Sequence, residues 1–296
     1  MRGADRVPDP GRLIAIDDTS LWVVSRGDGP LPLFVLHGGP GLDHHEFADY
    51  LDPLGDVCTL HLVDQRAQGR SDRSVPEHTW TLERLAQDVT MLALAMGLPR
   101  YAVFGHSYGA FVSLQHAIDY PRQAVASIVS CGVPSMRFLE GTEAAIAAIE
   151  PPELRARIAG AFADEATVET EAGFERLMVE GCPFYFADLS DPRIEDYLAR
   201  TADTVYAPAY LRAAAGAGSA IEVEDRLAEV ANPTLVIGGR YDRVCPPEAS
   251  AVIARGIPGA ALRIFERSGH FPFVEEQEGF LDAVRGFLAP FAAASR

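Results

Sequence analysis

The feature that most constrains this chain is Gly105-His106-Ser107-Tyr108-Gly109, set between an apolar, strand-like run at 101–104 and a helical run at 110–117. In that context a G-x-S-x-G segment requires a sharp strand-to-helix turn with the serine at its apex. Glycines two positions either side let the backbone approach itself without a Cβ clash.

Strand and helix alternate on both sides of this turn. Residues 13–16 and 21–24 flank a polar turn and read as an antiparallel pair. The run at 33–36 is uniformly apolar and is stopped by His37-Gly38-Gly39-Pro40-Gly41, as expected for a strand buried on both faces. Asp43 is placed to cap a short helix over 43–51, and 57–63 is the next strand. Thr81 begins a helix whose apolar positions Leu82, Leu85, Val89, Leu92 and Met96 keep the helical period until Gly97 and Pro99 stop it. A further strand is expected over 125–129. From 134 to 230 the alternation gives way to an Ala- and Glu-rich helical stretch. Strands at 234–237 and 261–265 and helices at 247–255 and 280–288 then resume it. The expected fold class is α/β, a mostly parallel central sheet with helices on both faces. Its core would comprise 1–133 and 231–296, with a helical cap inserted over 134–230.

Composition narrows the partners. The net charge is −17, and all 25 positive side chains are arginine. Such a chain repels phosphate backbones and anionic membranes, so neither nucleic acid nor a membrane is an expected partner. Residues 1–10 are polar and contain proline, and no apolar run approaches the ~18 residues a membrane span needs. Cys58, Cys131, Cys182 and Cys245 are widely spaced and lack a metal-binding pattern, so reduced thiols and a cytoplasmic setting are expected.

A serine hydroxyl is a weak nucleophile until a base takes its proton. His270 fits that role. It follows the strand at 261–265 in Ser268-Gly269-His270-Phe271, a loop at the carboxyl end of a strand, where an open α/β sheet presents reactive groups. His106 adjoins Ser107 and points elsewhere, and His61 lies inside a strand as a packing residue. His44, His45, His78 and His116 read as surface or helical positions, with His44 or His45 able to reach the rim of the site. The imidazole needs an acceptor on its other nitrogen. Asp242, in Gly239-Arg240-Tyr241-Asp242 after the strand at 234–237, provides one, whereas Asp203 and Asp225 fall in the insertion. Donors for a developing oxyanion would come from the N–H of Tyr108 and from the glycine-rich loop at 37–41. This set runs acyl transfer through an acyl-enzyme, with no metal or cofactor needed.

Together these segments resemble the proline iminopeptidase (prolyl aminopeptidase) family, α/β-hydrolases of the serine type with a helical cap. The resemblance covers nearly the whole chain. The family's H-G-G-P-G stands intact at 37–41, and its D-Q-R-G-x-G-x-S appears as Asp64 to Ser71 with Ala67 in place of a glycine. The resemblance implies a triad of Ser107, Asp242 and His270 and oxyanion donors at the N–H groups of Gly39 and Tyr108. Acidic residues hold the substrate's ammonium in this family, and one can directly follow the catalytic aspartate. Here that residue is Arg243, which would repel an ammonium and favour a carboxylate or phosphate. The other acid would come from the cap, where Glu171, Glu175, Glu180 and Glu195 are available. Phe184, Tyr185, Phe186, Tyr206 and Tyr210 suggest an aromatic-lined space. Arg243, Phe184, Tyr185 and Tyr206 are thus the candidate substrate contacts. Three functions compete: a proline iminopeptidase-like aminopeptidase on a small or short-peptide substrate; an esterase, lactonase or amidase on a small non-peptide acyl compound; and a ligand-binding homologue without turnover. Oligomeric state is not legible in the sequence.

Overall fold

The computed structural model describes residues 10–214 and 220–294. Eight strands form one sheet: β1 (Arg12–Ile16), β2 (Thr19–Arg26), β3 (Leu31–Leu36), β4 (Cys58–Val63), β5 (Ala102–His106), β6 (Ala126–Ser130), β7 (Thr234–Gly239) and β8 (Ala261–Phe265). Their spatial order is β1-β2-β4-β3-β5-β6-β7-β8. β1–β2 and β2–β4 are antiparallel, and the pairs from β3–β4 through β7–β8 are parallel.

The central strands are buried on both faces, which explains their uniformly apolar sequences. Successive side chains enter opposite cores. Phe34 and Leu36 of β3 and Val103 of β5 join one core; Leu33, Val35, Ala102 and Phe104 join the other. The first core is closed by α1 (Leu82–Ala95), α2 (Tyr108–Asp119) and α8 (Pro247–Gly256), through Leu85, Val112 and Ile253. The second is closed by α9 (Gln277–Ala293), through Phe280, Val284 and Leu288. Each fully buried Leu, Val or Phe side chain contributes roughly 1.5–3 kcal/mol, so a helix on each face stabilises the sheet that carries the loops.

Between β6 and β7 the chain forms α3 (Thr142–Ala147), α4 (Pro152–Asp164), α5 (Glu171–Gly181), α6 (Arg193–Arg200) and α7 (Pro208–Ala214). Ala161, Phe174, Leu177 and Leu211 of this insertion cluster with Leu42, just beyond the glycine-rich loop. The insertion therefore sits over the carboxyl end of β3.

One expectation changes. Asp43 does accept the N–H of His45 at 2.9 Å, but it starts a 3-10 turn over His44–Phe47 and not a helix over 43–51. Ala48 then turns to φ 41, and a second 3-10 turn covers Asp52–Asp56. The cause is polar: His44 and Glu46 turn inward to buried partners, which a continuous amphipathic helix would not allow. His116 lies in α2, the helical alternative of its reading, and is fully buried there, bonded to the Thr90 and Tyr101 hydroxyls. All four cysteines are free and buried. No helix among the described residues is long and apolar enough to cross a membrane.

Candidate active site

The turn between β5 and α2 explains its own sequence. Ser107 has φ 52 and ψ −117, a conformation most side chains avoid. A Cβ on Gly105 would lie 2.0 Å from the Gly109 carbonyl oxygen, and one on Gly109 would lie 2.2 Å from that of Leu36. Only glycines permit so tight a crossing. The Ser107 N–H donates to the Ser130 carbonyl at 2.9 Å, fixing the turn to the end of β6.

The loop after β3 lies against this serine: a Cβ on Gly38 would come within 3.0 Å of Ser107 Cβ. Three side chains hold the loop. Gly38 N–H donates to Glu46 Oε2 at 2.6 Å and Gly41 N–H to Gln68 Oε1 at 2.6 Å, while Gln65 Nε2 donates to the His37 carbonyl at 2.8 Å. Gln65 and Gln68 belong to the 64–71 loop, which wraps the buried Asp64 carboxylate. Asp64 accepts the N–H groups of His44 at 3.0 Å and Arg70 at 2.7 Å, and pairs with the His44 ring. Burial opposes its charge, but His44 prevails and holds the carboxyl below its ordinary range. The second family segment thus braces the first.

His106 does more than adjoin Ser107. Its Nδ1 faces Glu46 Oε1 at 3.0 Å and its Nε2 faces the His270 carbonyl at 2.8 Å. Both partners are acceptors, so both ring nitrogens carry protons and His106 is an imidazolium. Burial opposes both charges, yet the pair outweighs it: His106 is held above its usual range and Glu46 below. A buried ion pair therefore links the glycine-rich loop to the backbone of His270.

His270 and Asp242 are brought together from the loops after β8 and β7. His270 Nδ1 lies 2.7 Å from Asp242 Oδ2. The other carboxylate oxygen accepts the N–H groups of Val244 at 2.9 Å and Cys245 at 2.8 Å, which fixes its orientation. His270 and Ser107 line one cavity, with Gly39, Leu42, Phe162, Phe174 and Tyr185. A second lobe, reached past Ser107, is lined by Tyr108, Phe111, Met136 and Cys245. The lobes measure about 250 and 130 Å³. Asp242, Cys245 and His270 also bring potential metal-ligating atoms within 4.8 Å of one another, as do Asp43, His44 and His45 and the group of His106, Cys131 and His270. In each of these groups the imidazoles and carboxylates already hydrogen-bond within the protein.

The candidate substrate contacts divide. Tyr185 lines the cavity, its ring centroid 5.5 Å from that of His270. Phe184 is fully buried against Phe162 at 5.1 Å, and Tyr206 packs on Phe174 at 4.9 Å; neither lines the cavity. Arg243 does not line it either. Its guanidinium donates to the carbonyls of Phe184 at 3.3 Å, Phe186 at 2.6 Å and Ala187 at 3.0 Å. Arg243 thus spends its donors on backbone carbonyls and does not line the cavity. Glu171, Glu175 and Glu195 are exposed, and with Glu180 they stay outside the cavity. The acid that reaches it is Glu165, just after α4, whose pKa burial raises to about 7. Nothing in its Ala-rich surroundings marks Glu165 in the sequence. Glu46, also in the lining, could have been sought only as a carboxylate close behind the glycine-rich loop. His44 and His45 turn to Asp64 and Asp43 and do not reach the rim.

Residues 32–277 match the family described as alpha/beta hydrolase fold. Proline iminopeptidase of Xanthomonas citri is 30% identical over 290 residues, which cover 86% of this chain and 88% of that one. Proline iminopeptidase of Clostridium botulinum is 26% identical over 269 residues, covering 87% and 89%. The crystal structure of proline iminopeptidase from Mycobacterium smegmatis matches with a TM-score of 0.73 and 25% identity, over 97% of this chain and 100% of that one. The chain belongs to the proline iminopeptidase family of α/β-hydrolases, and its activity is hydrolytic.

Proposed function

We propose that this protein is a serine aminopeptidase that releases a small N-terminal residue, of the prolyl type, from an amide. Glu165 carries the reading. It is a carboxylate in the same cavity as Ser107, and Glu46, the other one there, is already committed to His106 and Gly38. An ammonium that meets Glu165 lies in the cavity that Ser107 also lines. The family's names and the apolar lining support a compact, prolyl-sized residue in this lobe. With Arg243 outside the cavity, the esterase or lactonase reading loses the feature that favoured it.

The chemistry follows in two steps. Ser107 Oγ attacks the carbonyl carbon while His270 Nε2 takes its proton, and Asp242 holds the imidazole through Nδ1 and stabilises the imidazolium. The oxyanion is met by the N–H groups of Gly39 and Tyr108. Collapse breaks the C–N bond, and the amine leaves with the proton from His270. Water, deprotonated by the same histidine, then cleaves the acyl-serine and restores the enzyme. The helices of 134–230 act as a cap that limits water and the size of the substrate. A fluorophosphonate should label Ser107, and Ser107→Ala should lose labelling together with hydrolysis. Hydrolysis that survives in Ser107→Ala would refute the mechanism.

A further inference from the structure

We propose that Arg243 is a positioning residue: it clamps the cap segment 184–187 onto both catalytic loops, so that the seating of the cap and the placement of His270 are one event. The inference rests on the serine-hydrolase reading of Ser107 and His270 above.

The geometry is unusually complete. Arg243 follows Asp242 directly, and its fork takes the carbonyls of Phe184, Phe186 and Ala187 at 3.3, 2.6 and 3.0 Å. The one carbonyl left in that stretch, Tyr185, accepts the N–H of His270 at 2.6 Å. All four consecutive carbonyls of the segment are therefore held by the loops that carry Asp242 and His270. Glu275 completes the join: one carboxylate oxygen accepts Ala187 N–H at 2.7 Å, the other Gly269 N–H at 2.8 Å. The approach is close enough to require glycine at 269, where a Cβ would lie 2.4 Å from the Tyr185 carbonyl oxygen. The charges that face the guanidinium are Glu275, Asp242 and Asp188, all attractive.

The consequence reaches the reaction because the segment binds the main chain of His270 itself. Tyr185 also places its ring in the cavity beside the imidazole. If the segment loosens, the His270 peptide loses its acceptor, and the ring can drift from Asp242 and from Ser107. A misplacement of about 1 Å costs on the order of a hundredfold in rate. A planar fork with five donors suits three carbonyls; an ammonium can reach fewer of them, and an apolar chain none.

The test compares Arg243→Met, Arg243→Lys and Glu275→Gln with the wild type, using para-nitrophenyl acetate turnover, the rate of fluorophosphonate labelling at Ser107, and thermal stability. Glu275→Gln keeps one acceptor oxygen where two N–H groups need one each. The expected result is a fall in kcat of about tenfold or more in Arg243→Met, with KM within about threefold, a parallel fall in labelling rate, and partial recovery in Arg243→Lys. Wild-type kcat with only a lowered Tm would overturn the proposal, leaving Arg243 a structural brace. A rise in KM alone would overturn it in favour of substrate contact. If Arg243→Met does not fold, the other two variants decide: a drop in kcat of about threefold or more supports the clamp, and wild-type kcat in both refutes it. If the wild type exceeds Ser107→Ala neither in ester or prolyl arylamide turnover nor in labelling, the hydrolase reading fails, and the clamp fails with it.

Discussion

On the proposed reading Glu165 holds the substrate's ammonium, and its ionisation has two consequences. Burial raises its pKa from 4.5 to about 7. Below that value the side chain is neutral and offers an ammonium no counter-charge. For a free-amine prolyl arylamide, kcat/KM should therefore fall as pH drops through about 7, more steeply than for a neutral ester, which has no ammonium to pair with this carboxylate. Glu165→Gln should lower kcat/KM for the free amine about tenfold or more, remove the extra pH dependence, and leave the ester within about threefold. The second consequence concerns stability. A carboxyl whose pKa is raised by folding contributes stability that is full below 4.5 and is lost as pH rises through about 7. Glu165→Gln should thus raise Tm more at about pH 8 than at about pH 5, which a melting series checks.

At the scale of elements, the turn between β5 and α2 is held by close contact and tolerates no side chain at 109. Gly109→Ala would drive a methyl to 2.2 Å from the Leu36 carbonyl oxygen, so α2 must shift away from β3. Urea unfolding should show a loss of about 1–3 kcal/mol, with hydrolysis reduced further than the folded fraction explains. This turn is legible in the sequence because its determinants are local: a strand, two glycines and a helix. The α/β fold is legible for the same reason, since short uniformly apolar runs alternate with segments of helical period along the chain. Asp242 and His270 are legible by their place after strands. What escapes is chemistry between distant segments. Arg243 bonds to backbone carbonyls more than 50 residues away, and no residue identity announces a carbonyl acceptor. Glu165 reaches the cavity only through the packing of α4 and α5. Ala67 is half legible: it breaks the family's glycine pattern, yet its backbone keeps a glycine-like φ of 60.

At the scale of the molecule, one sheet gathers the candidate site at its carboxyl edge. The loops after β3, β5, β7 and β8 bring Gly39, Ser107, Asp242 and His270 to one place, and the loop after β4 braces the first of them. The charge of −17 acts on the same place from a distance. A negative molecule draws cationic substrates, and salt screens that field over about 8–10 Å at ordinary ionic strength. Raising salt should therefore lower kcat/KM for a cationic prolyl arylamide several-fold while a neutral ester stays flat; equal slopes would deny any steering. The proposed reading of an ammonium by Glu165 is checked by kcat/KM measured side by side for a prolyl arylamide, its N-acylated analogue and a short-chain aryl ester, with Ser107→Ala as the blank. The free amine should exceed its acylated analogue by about tenfold or more, at least ~1.4 kcal/mol of transition-state binding owed to the ammonium. An ester that wins, with no advantage for the free amine, would contradict it.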